Sequence, residues 1–310
     1  MQKEGHREPS ENASALLVYY QGENTNLGRL KVFLARVIFQ AKGNDSGMDP
    51  QPYRKDTETL HQAAIRFLTP RPIPATPRDL ELLEKGTGLE LSCGLAATAW
   101  GEGPTVLLAH GWESRRSHWA AFVPGLVETG HKVVAIDAPA HGDSPGERVN
   151  VLQYGKSLVE VGNEIGPLAG IIGHSFGAGA ISVALYKGLE VKGAVLISGP
   201  SNLPLLIERW GRGQGIPESD LPGFLDLVAG EVGVAMENLD LAKLAPHLKA
   251  PALIIHDRGD EDVPLEEGIR MAKGWPGARQ LITHRYGHRR ILIAKEVVRE
   301  AVEFIKHVQS

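Results

Sequence analysis

Ser175 is the residue of this sequence whose neighbours best fit covalent chemistry. It lies in the stretch GHSFG at residues 173–177, after an apolar run and between two glycines. Glycine at these two positions allows a turn tight enough to present the serine hydroxyl above a sheet, which is the G-x-S-x-G pattern. Because a serine hydroxyl is a weak nucleophile without an adjacent base, the pattern requires a base and an orienting carboxylate elsewhere in the chain.

A base and a carboxylate are available downstream, in the order Ser, Asp, His. The stretch HDRGDEDVP contains three aspartates, with Asp260 at its centre, and HRYGHRR contains two histidines. His288 follows Gly287, whose freedom to turn lets the loop direct the imidazole toward Ser175. We therefore predict that Ser175 is the nucleophile, His288 the base and Asp260 the orienting acid. The competing residues that the sequence leaves open are Asp257, Asp262 and His284.

A tetrahedral oxyanion also needs two backbone donors. The stretch HGW at residues 110–112 directly follows an apolar run, and Gly111 lets the chain turn so that the Trp112 N–H faces the site. Phe176, the residue after the nucleophile, is the natural second donor. We predict an oxyanion hole made of the Trp112 and Phe176 N–H groups. The residues expected to line the substrate pocket are His110, Gly111, His174 and Trp210.

The elements that must position these residues alternate along the chain. Five continuous apolar runs, from PTVLLAHG to APALIIHDRGD, are typical of strands buried on both faces of a parallel sheet. Helical stretches between them indicate right-handed crossovers and an open, doubly wound α/β sheet. In such sheets the reactive loops follow the carboxyl ends of the strands, where Ser175, Asp260 and His288 all lie.

Two segments interrupt this alternation. Residues 201–247 hold two helical patches around the flexible GRGQGIPESD, which predicts a small helical cap inserted between two strands. Residues 1–85 are predicted to be an N-terminal extension, with a Gly/Pro-rich linker at residues 43–56. The main domain is therefore expected to span residues 86–310.

Five short stretches in this order resemble the α/β-hydrolase family over about residues 86–310. They are HGW, DAPAHGDS at 137–144, GHSFG, Asp260 with the V-P that follows it, and the Gly-His pair at 287–288. The resemblance implies the α/β-hydrolase fold, a mostly parallel eight-stranded sheet with helices on both faces, a small helical cap and no cofactor. The chain departs from the HGGG stretch of many lipases and esterases, and residues 1–85 match no part of the family pattern.

The predicted triad specifies acyl transfer but not the bond that is cleaved. A carboxylesterase acting through an acyl-enzyme is the expected activity. The alternatives are a thioesterase, a C–C hydrolase, a peptidase and a catalytically silent binding protein. Haloalkane dehalogenase and epoxide hydrolase chemistry are disfavoured because they require a carboxylate where Ser175 stands. A dinucleotide site is disfavoured because the sequence has no clean G-x-G-x-x-G, and a metal site because Gly287 interrupts the pair His284 and His288.

The composition favours a soluble protein with a small-molecule partner. The net charge of −4 offers no basic field for nucleic acid, and no apolar run approaches the roughly 20 residues of a spanning helix. We recognise no signal peptide, and the single Cys93 excludes an intramolecular disulfide and favours a reducing, cytoplasmic location. We expect a small-molecule ester substrate, no nucleic acid and no stable membrane insertion, and leave a homodimer open.

Overall fold

The computed structural model describes residues 59–308, which form a sheet of eight strands flanked by helices. The strands are β1 (Thr87–Leu89), β2 (Ala97–Trp100), β3 (Thr105–Ala109), β4 (Lys132–Ile136), β5 (Leu168–His174), β6 (Ala194–Ile197), β7 (Ala252–Asp257) and β8 (Arg279–Thr283). The helices are α1 (Leu60–Phe67), α2 (Pro77–Glu84), α3 (Val123–Glu128), α4 (Val151–Ile165), α5 (Phe176–Tyr186), α6 (Leu203–Gly213), α7 (Leu221–Val232), α8 (Leu265–Gly274), α9 (Gly287–Arg290) and α10 (Lys295–His307).

The strand order is β1-β2-β4-β3-β5-β6-β7-β8, and only the pairs β1–β2 and β2–β4 are antiparallel. The predicted eight-stranded, mostly parallel sheet is therefore confirmed. Its central strands are buried on both faces: along β3, Leu107 packs into one apolar core, whereas Val106 and Leu108 pack into the other. Helices α4 and α5 cover the first core, and α3 and α10 cover the second.

The connection between β6 and β7 contains α6, α7 and three short 3-10 turns. Phe224 of α7 and Ile207 of α6 are buried, and α7 ends at Gly233, whose φ of 76° is the left-handed conformation that glycine adopts readily. This segment coincides with the cap insertion predicted at residues 201–247. Within residues 59–308 no helix is long and apolar enough to cross a membrane.

Helices α1 and α2, which precede the predicted domain start at residue 86, pack against other elements of the described structure. Helix α1 begins with a capping box between Thr59 and Gln62, and it buries Ala63 and Ala64 against α7. The packing of these two short helices is not visible in the sequence, because the surfaces that cover them come from distant parts of the chain. The rest of the predicted extension, including the linker at 43–56, lies outside the described residues.

Candidate active site

Ser175 occupies the turn between β5 and α5 with φ 52° and ψ −116°. A serine in this region stores strain of about 1–3 kcal/mol, a level typical of functional turns. Both glycines of the motif are needed for close packing. A Cβ on Gly177 would lie 2.2 Å from the Ala109 carbonyl oxygen, and one on Gly173 would lie 2.5 Å from Ile181 Cδ1. The packing of β5, α5 and β3 therefore explains the pattern G-x-S-x-G at this turn.

The His288 ring lies between Ser175 and Asp260. Its Nε2 is 2.9 Å from Ser175 Oγ, and its Nδ1 is 2.8 Å from Asp260 Oδ2. When Nδ1–H donates to the carboxylate, Nε2 carries the lone pair that can accept the serine proton. The structure thus brings together the three side chains that the sequence analysis selected.

Asp260 is held as a buried carboxylate in the loop after β7. Its Oδ1 accepts hydrogen bonds from the N–H groups of Asp262 at 3.1 Å and Val263 at 2.8 Å. Burial raises the pKa of Asp260, but the hydrogen bond and charge of His288 and the Val263 N–H outweigh burial and hold that pKa below its usual value. Of the competing residues, Asp262 and His284 are exposed and Asp257 is buried at the end of β7.

His174 supports the backbone of the loop that carries His288. The His174 Nε2–H donates to the His288 carbonyl oxygen at 2.8 Å. Burial, followed by the charge of His288, lowers the pKa of His174 to about 3, so the ring is neutral at physiological pH. His174 is 5% exposed and its ring lies against that of His288, and its substrate-pocket role stays a prediction.

The two predicted oxyanion donors are neighbours. The Trp112 and Phe176 rings meet edge to face with centroids 5.2 Å apart. A Cβ on Gly111 would lie 3.2 Å from Ser175 Cβ and 2.9 Å from His174 Nδ1, so glycine permits the close approach of this loop. Within residues 59–308 neither the Trp112 nor the Phe176 N–H donates to a protein acceptor. Both remain available for an oxyanion, and Phe176 opens α5 at the positive end of its dipole.

His110 is a structural histidine. Its Nδ1–H donates to the Gly111 carbonyl oxygen at 2.7 Å, and its Nε2 accepts the Ala138 N–H at 2.9 Å. The side chain is 1% exposed, and burial lowers the pKa of His110 well below its usual value. Both ring nitrogens bond to backbone and join the loops after β3 and β4, and the pocket role of His110 stays a prediction.

His141, which the sequence analysis did not single out, fixes the residue after Trp112. Glu113 has φ 48°, and its N–H donates to His141 Nε2 at 3.1 Å while His141 Nδ1–H donates to the Pro139 carbonyl oxygen at 3.0 Å. The Glu113 carboxylate also accepts hydrogen bonds from Arg71, from Nε at 2.9 Å and Nη2 at 2.7 Å. The only sequence feature that could have drawn attention to His141 is the stretch DAPAHGDS, which contains it but does not indicate its partner.

Trp210 belongs to an aromatic cluster that joins α1, α6 and α7. Its ring centroid lies 5.2 Å from that of Phe67 and 5.6 Å from that of Phe224, with the Arg66 guanidinium 5.5 Å above it. These contacts explain its partial burial by helix packing. The pocket role of Trp210 stays a prediction.

The histidines near Ser175 bond to backbone or carboxylate groups and do not form a metal-binding cluster. Among the described residues, no group of three or more histidine, cysteine, aspartate or glutamate side chains could hold a metal ion. What the geometry supports is nucleophilic chemistry at Ser175, with a base at 2.9 Å and two backbone donors beside it.

A model of the Alpha/beta hydrolase family matches residues 106–300, a range that contains the nucleophile turn and both loops of the candidate triad. The chain belongs to this family. It has the family's open eight-stranded sheet, as the resemblance implied.

Several curated proteins of different named activities are similar to this chain, which spans less than half the length of the haloperoxidase and of the epoxide hydrolase among them. A non-heme haloperoxidase of Rhodococcus erythropolis is 29% identical over 134 residues, 42% of this chain and 48% of that protein. A 2-hydroxy-6-oxononadienedioate/2-hydroxy-6-oxononatrienedioate hydrolase of Paraburkholderia phymatum is 27% identical over 263 residues, 69% of this chain and 90% of that protein. The match to a bifunctional epoxide hydrolase 2 of Rattus norvegicus, at 28% identity over 138 residues, covers 42% of this chain and 24% of that protein.

Solved structures share the fold at low sequence identity. The esterase Pf2001 of Pyrococcus furiosus is 24% identical, with a TM-score of 0.57 over 77% of this chain and 99% of that one. A meta-cleavage product hydrolase of Pseudomonas fluorescens is 20% identical, with a TM-score of 0.54 over 73% of this chain and 99% of that one. These likenesses establish the architecture, and they include an esterase and a meta-cleavage product hydrolase.

Proposed function

We propose that this protein is a serine hydrolase that cleaves carboxylic esters through an acyl-enzyme intermediate. The observation that carries the proposal is the His288 ring, hydrogen bonded to Ser175 Oγ at 2.9 Å and to Asp260 Oδ2 at 2.8 Å. A base that is aligned with a nucleophile on one side and with a buried carboxylate on the other is the arrangement that activates a serine.

In the first half of the reaction, His288 Nε2 takes the Ser175 proton as Oγ attacks the ester carbonyl carbon. The carbonyl oxygen becomes an oxyanion, to which the N–H groups of Trp112 and Phe176 donate. Each such donor is worth about 10²–10³-fold in rate in serine hydrolases. The imidazolium, stabilised by Asp260, then gives its proton to the leaving alkoxide as the C–O bond breaks.

In the second half, water replaces the alcohol. His288 removes a proton from water, and the hydroxide attacks the acyl carbon while the same two N–H groups hold the oxyanion. The proton returns through His288 to Ser175 Oγ, and the carboxylic acid leaves. The protein supplies every group in this cycle, so the proposed reaction uses no cofactor.

A C–C hydrolase is the second candidate. It is favoured by the relative named as a 2-hydroxy-6-oxononadienedioate hydrolase, since the match extends over 90% of that protein. Thioesters remain a third substrate class, because the same acyl transfer serves them. Epoxide opening is not proposed, because Ser175 stands where that chemistry requires a carboxylate.

The free Cys93 fits a reducing compartment, and we propose a cytoplasmic location and leave a homodimer open.

The test is a panel of p-nitrophenyl esters from acetate to palmitate, together with an acyl thioester and a 2-hydroxy-6-oxo-dienoate. Wild-type protein should hydrolyse an ester fastest. Ser175→Ala should lower kcat by on the order of 10⁴-fold, and Asp260→Asn and His288→Ala by about 10³-fold. The exposed side chains nearby provide matched controls, Asp262→Asn and His284→Ala, which should retain most activity. An active Ser175→Ala enzyme, or preference for the dienoate, would overturn the ester assignment.

A further inference from the structure

Asp257 takes no part in the chemistry proposed above, yet it makes the most hydrogen bonds of the three loop aspartates. It is fully buried at the end of β7, and Asp260 follows it three positions later in the chain. Its carboxylate accepts four hydrogen bonds. The donors are Gly259 N at 2.8 Å and Gly287 N at 3.0 Å to Oδ1, and Thr283 Oγ1 at 2.8 Å and Tyr286 N at 3.1 Å to Oδ2.

Two of these donors belong to the backbone that leads directly into His288. This backbone bends through the left-handed region at Arg285, with φ 75°, and again at Gly287, with φ 65°. A non-glycine residue in that region costs about 1 kcal/mol, so the turn needs interactions that fix it. The bonds from Tyr286 N and Gly287 N to Asp257 span this turn and fasten it to the end of β7.

The four donors also define the charge state that the position requires. Burial raises the pKa of Asp257, but the hydrogen bonds from these donors outweigh burial and hold the pKa below its usual value. An amide in its place has one acceptor oxygen and one NH₂ group. Since each carboxylate oxygen receives at least one backbone N–H, an asparagine would direct its NH₂ at a donor in either orientation. Only the carboxylate satisfies all four donors.

We propose that Asp257 is a positioning residue for His288. Its carboxylate holds the Tyr286 and Gly287 N–H groups and so sets the place from which the His288 ring reaches both Ser175 and Asp260. The loop at residues 257–260 then carries two carboxylates with different roles. Asp257 holds the backbone that leads into His288, and Asp260 bonds to the His288 ring. The proposal rests on the proposed serine mechanism, in which a displacement of about 1 Å costs on the order of 10²-fold in rate.

The direct test is Asp257→Asn against the matched control Asp262→Asn, which changes an exposed acid in the same loop. Kinetics are measured per active site, with the folded fraction determined by circular dichroism. We expect Asp257→Asn to lower kcat by about 10–100-fold with KM changed less than about twofold, and Asp262→Asn to resemble wild type. A folded Asp257→Asn protein with wild-type kcat would overturn the proposal.

A smaller change keeps the proposal testable if Asp257→Asn does not fold. Thr283→Val removes one of the four donors and leaves the three backbone donors, and Thr283→Ser restores the hydroxyl. We expect the valine variant to lower kcat by about 3–10-fold and the serine variant to recover it. Equal kcat in the valine and serine variants would contradict the proposed role of the carboxylate.

A readout without substrate separates this proposal from the ester mechanism. The proton shared by His288 Nδ1 and Asp260 should give a downfield NMR resonance, assigned by its loss in His288→Gln. We expect Asp257→Asn or Thr283→Val to shift or broaden this resonance, and Asp262→Asn to leave it unchanged. If wild-type protein hydrolyses no ester while the resonance responds in this way, the ester mechanism fails and the positioning role stands. An unchanged resonance in a folded Asp257→Asn protein overturns the positioning role.

Discussion

His174 and His288 are joined through backbone rather than through their reactive atoms: the His174 Nε2–H donates to the His288 carbonyl oxygen at 2.8 Å, with the ring centroids 4.8 Å apart. His174 directly precedes Ser175, so the motif that presents the proposed nucleophile also supports the proposed base, His288. This contact requires a proton on Nε2, and burial of the ring disfavours a second proton on Nδ1, which makes the arrangement sensitive to acid.

The first prediction is a loss of stability in acid. The pKa of His174 is lowered to about 3, mainly by burial, whereas an unfolded histidine titrates near 6.5. Between these values the unfolded chain binds one more proton, so the free energy of unfolding falls as the pH decreases, by on the order of 1 kcal/mol per pH unit. The stabilisation is complete above about pH 6.5. Urea unfolding at several pH values between 7 and 5 measures the slope.

His174→Gln is the matched variant for this slope. Its amide N–H can replace the Nε2 donor but does not titrate. We expect the free energy of unfolding to depend less steeply on pH than in wild type, because the variant takes up about one proton fewer on unfolding. Equal slopes in the two proteins would show that His174 does not carry this linkage.

The second prediction concerns the strain stored at the nucleophile. With φ 52° and ψ −116°, residue 175 lies where a Cβ is unfavourable and glycine is not. Ser175→Gly should therefore be more stable than Ser175→Ala by on the order of 1 kcal/mol, although neither has a nucleophile. Urea denaturation of the two variants measures the difference, and a less stable glycine variant would argue against strain at this turn.

The third prediction concerns Gly111 and the oxyanion loop. A Cβ here would lie 2.9 Å from His174 Nδ1 and 3.2 Å from Ser175 Cβ, so Gly111→Ala must displace the Trp112 N–H. We expect kcat to fall by about 10²-fold in a folded protein. The control is Gly88→Ala, since no heavy atom lies within 4 Å of a Cβ there. Full activity in Gly111→Ala would contradict the proposal that the Trp112 N–H is an oxyanion donor.

The fourth prediction links the N-terminal segment to activity. The Arg71 guanidinium donates a hydrogen bond to the carboxylate of Glu113, the residue after Trp112. The Glu113 side chain is much less exposed than the Glu81 side chain, which forms a surface ion pair with Lys85. Arg71→Ala and Glu113→Gln should each lower kcat by about 3–10-fold, and the double variant should be no worse than either single variant. Lys85→Ala should have no effect. Additive losses in the double variant would show that the pair does not act as a unit.

The sequence was sufficient to predict the elements whose signals are local. Continuous apolar runs predicted the buried parallel strands, and the glycines around Ser175 predicted the tight turn. The predicted partners of Ser175 also lie together, because the carboxyl ends of parallel strands meet at one edge of the sheet. Asp260 was preferred over its neighbours from its place in the loop, and the structure puts its carboxylate against His288.

Side-chain partners distant in sequence were not predictable in this way. His110 and His174 look like site residues from their positions beside Gly111 and Ser175, but burial commits their polar atoms to backbone groups. The helix α1 looked like part of an extension because α7, more than 150 residues later, supplies the surface that covers it. Asp257 was only a competing acid in the sequence, because its donors at residues 283–287 are brought to it by the pairing of β7 with β8.

The most direct test of the account is to trap the acyl-enzyme. Wild-type protein is mixed with a p-nitrophenyl ester, quenched in acid within the first turnover, digested and examined by mass spectrometry. We predict a burst of one p-nitrophenol per active site and one acyl group on the peptide that contains Ser175, with neither in Ser175→Ala. Ester hydrolysis by wild-type protein with no acyl group on Ser175, or a burst retained by Ser175→Ala, would contradict the mechanism.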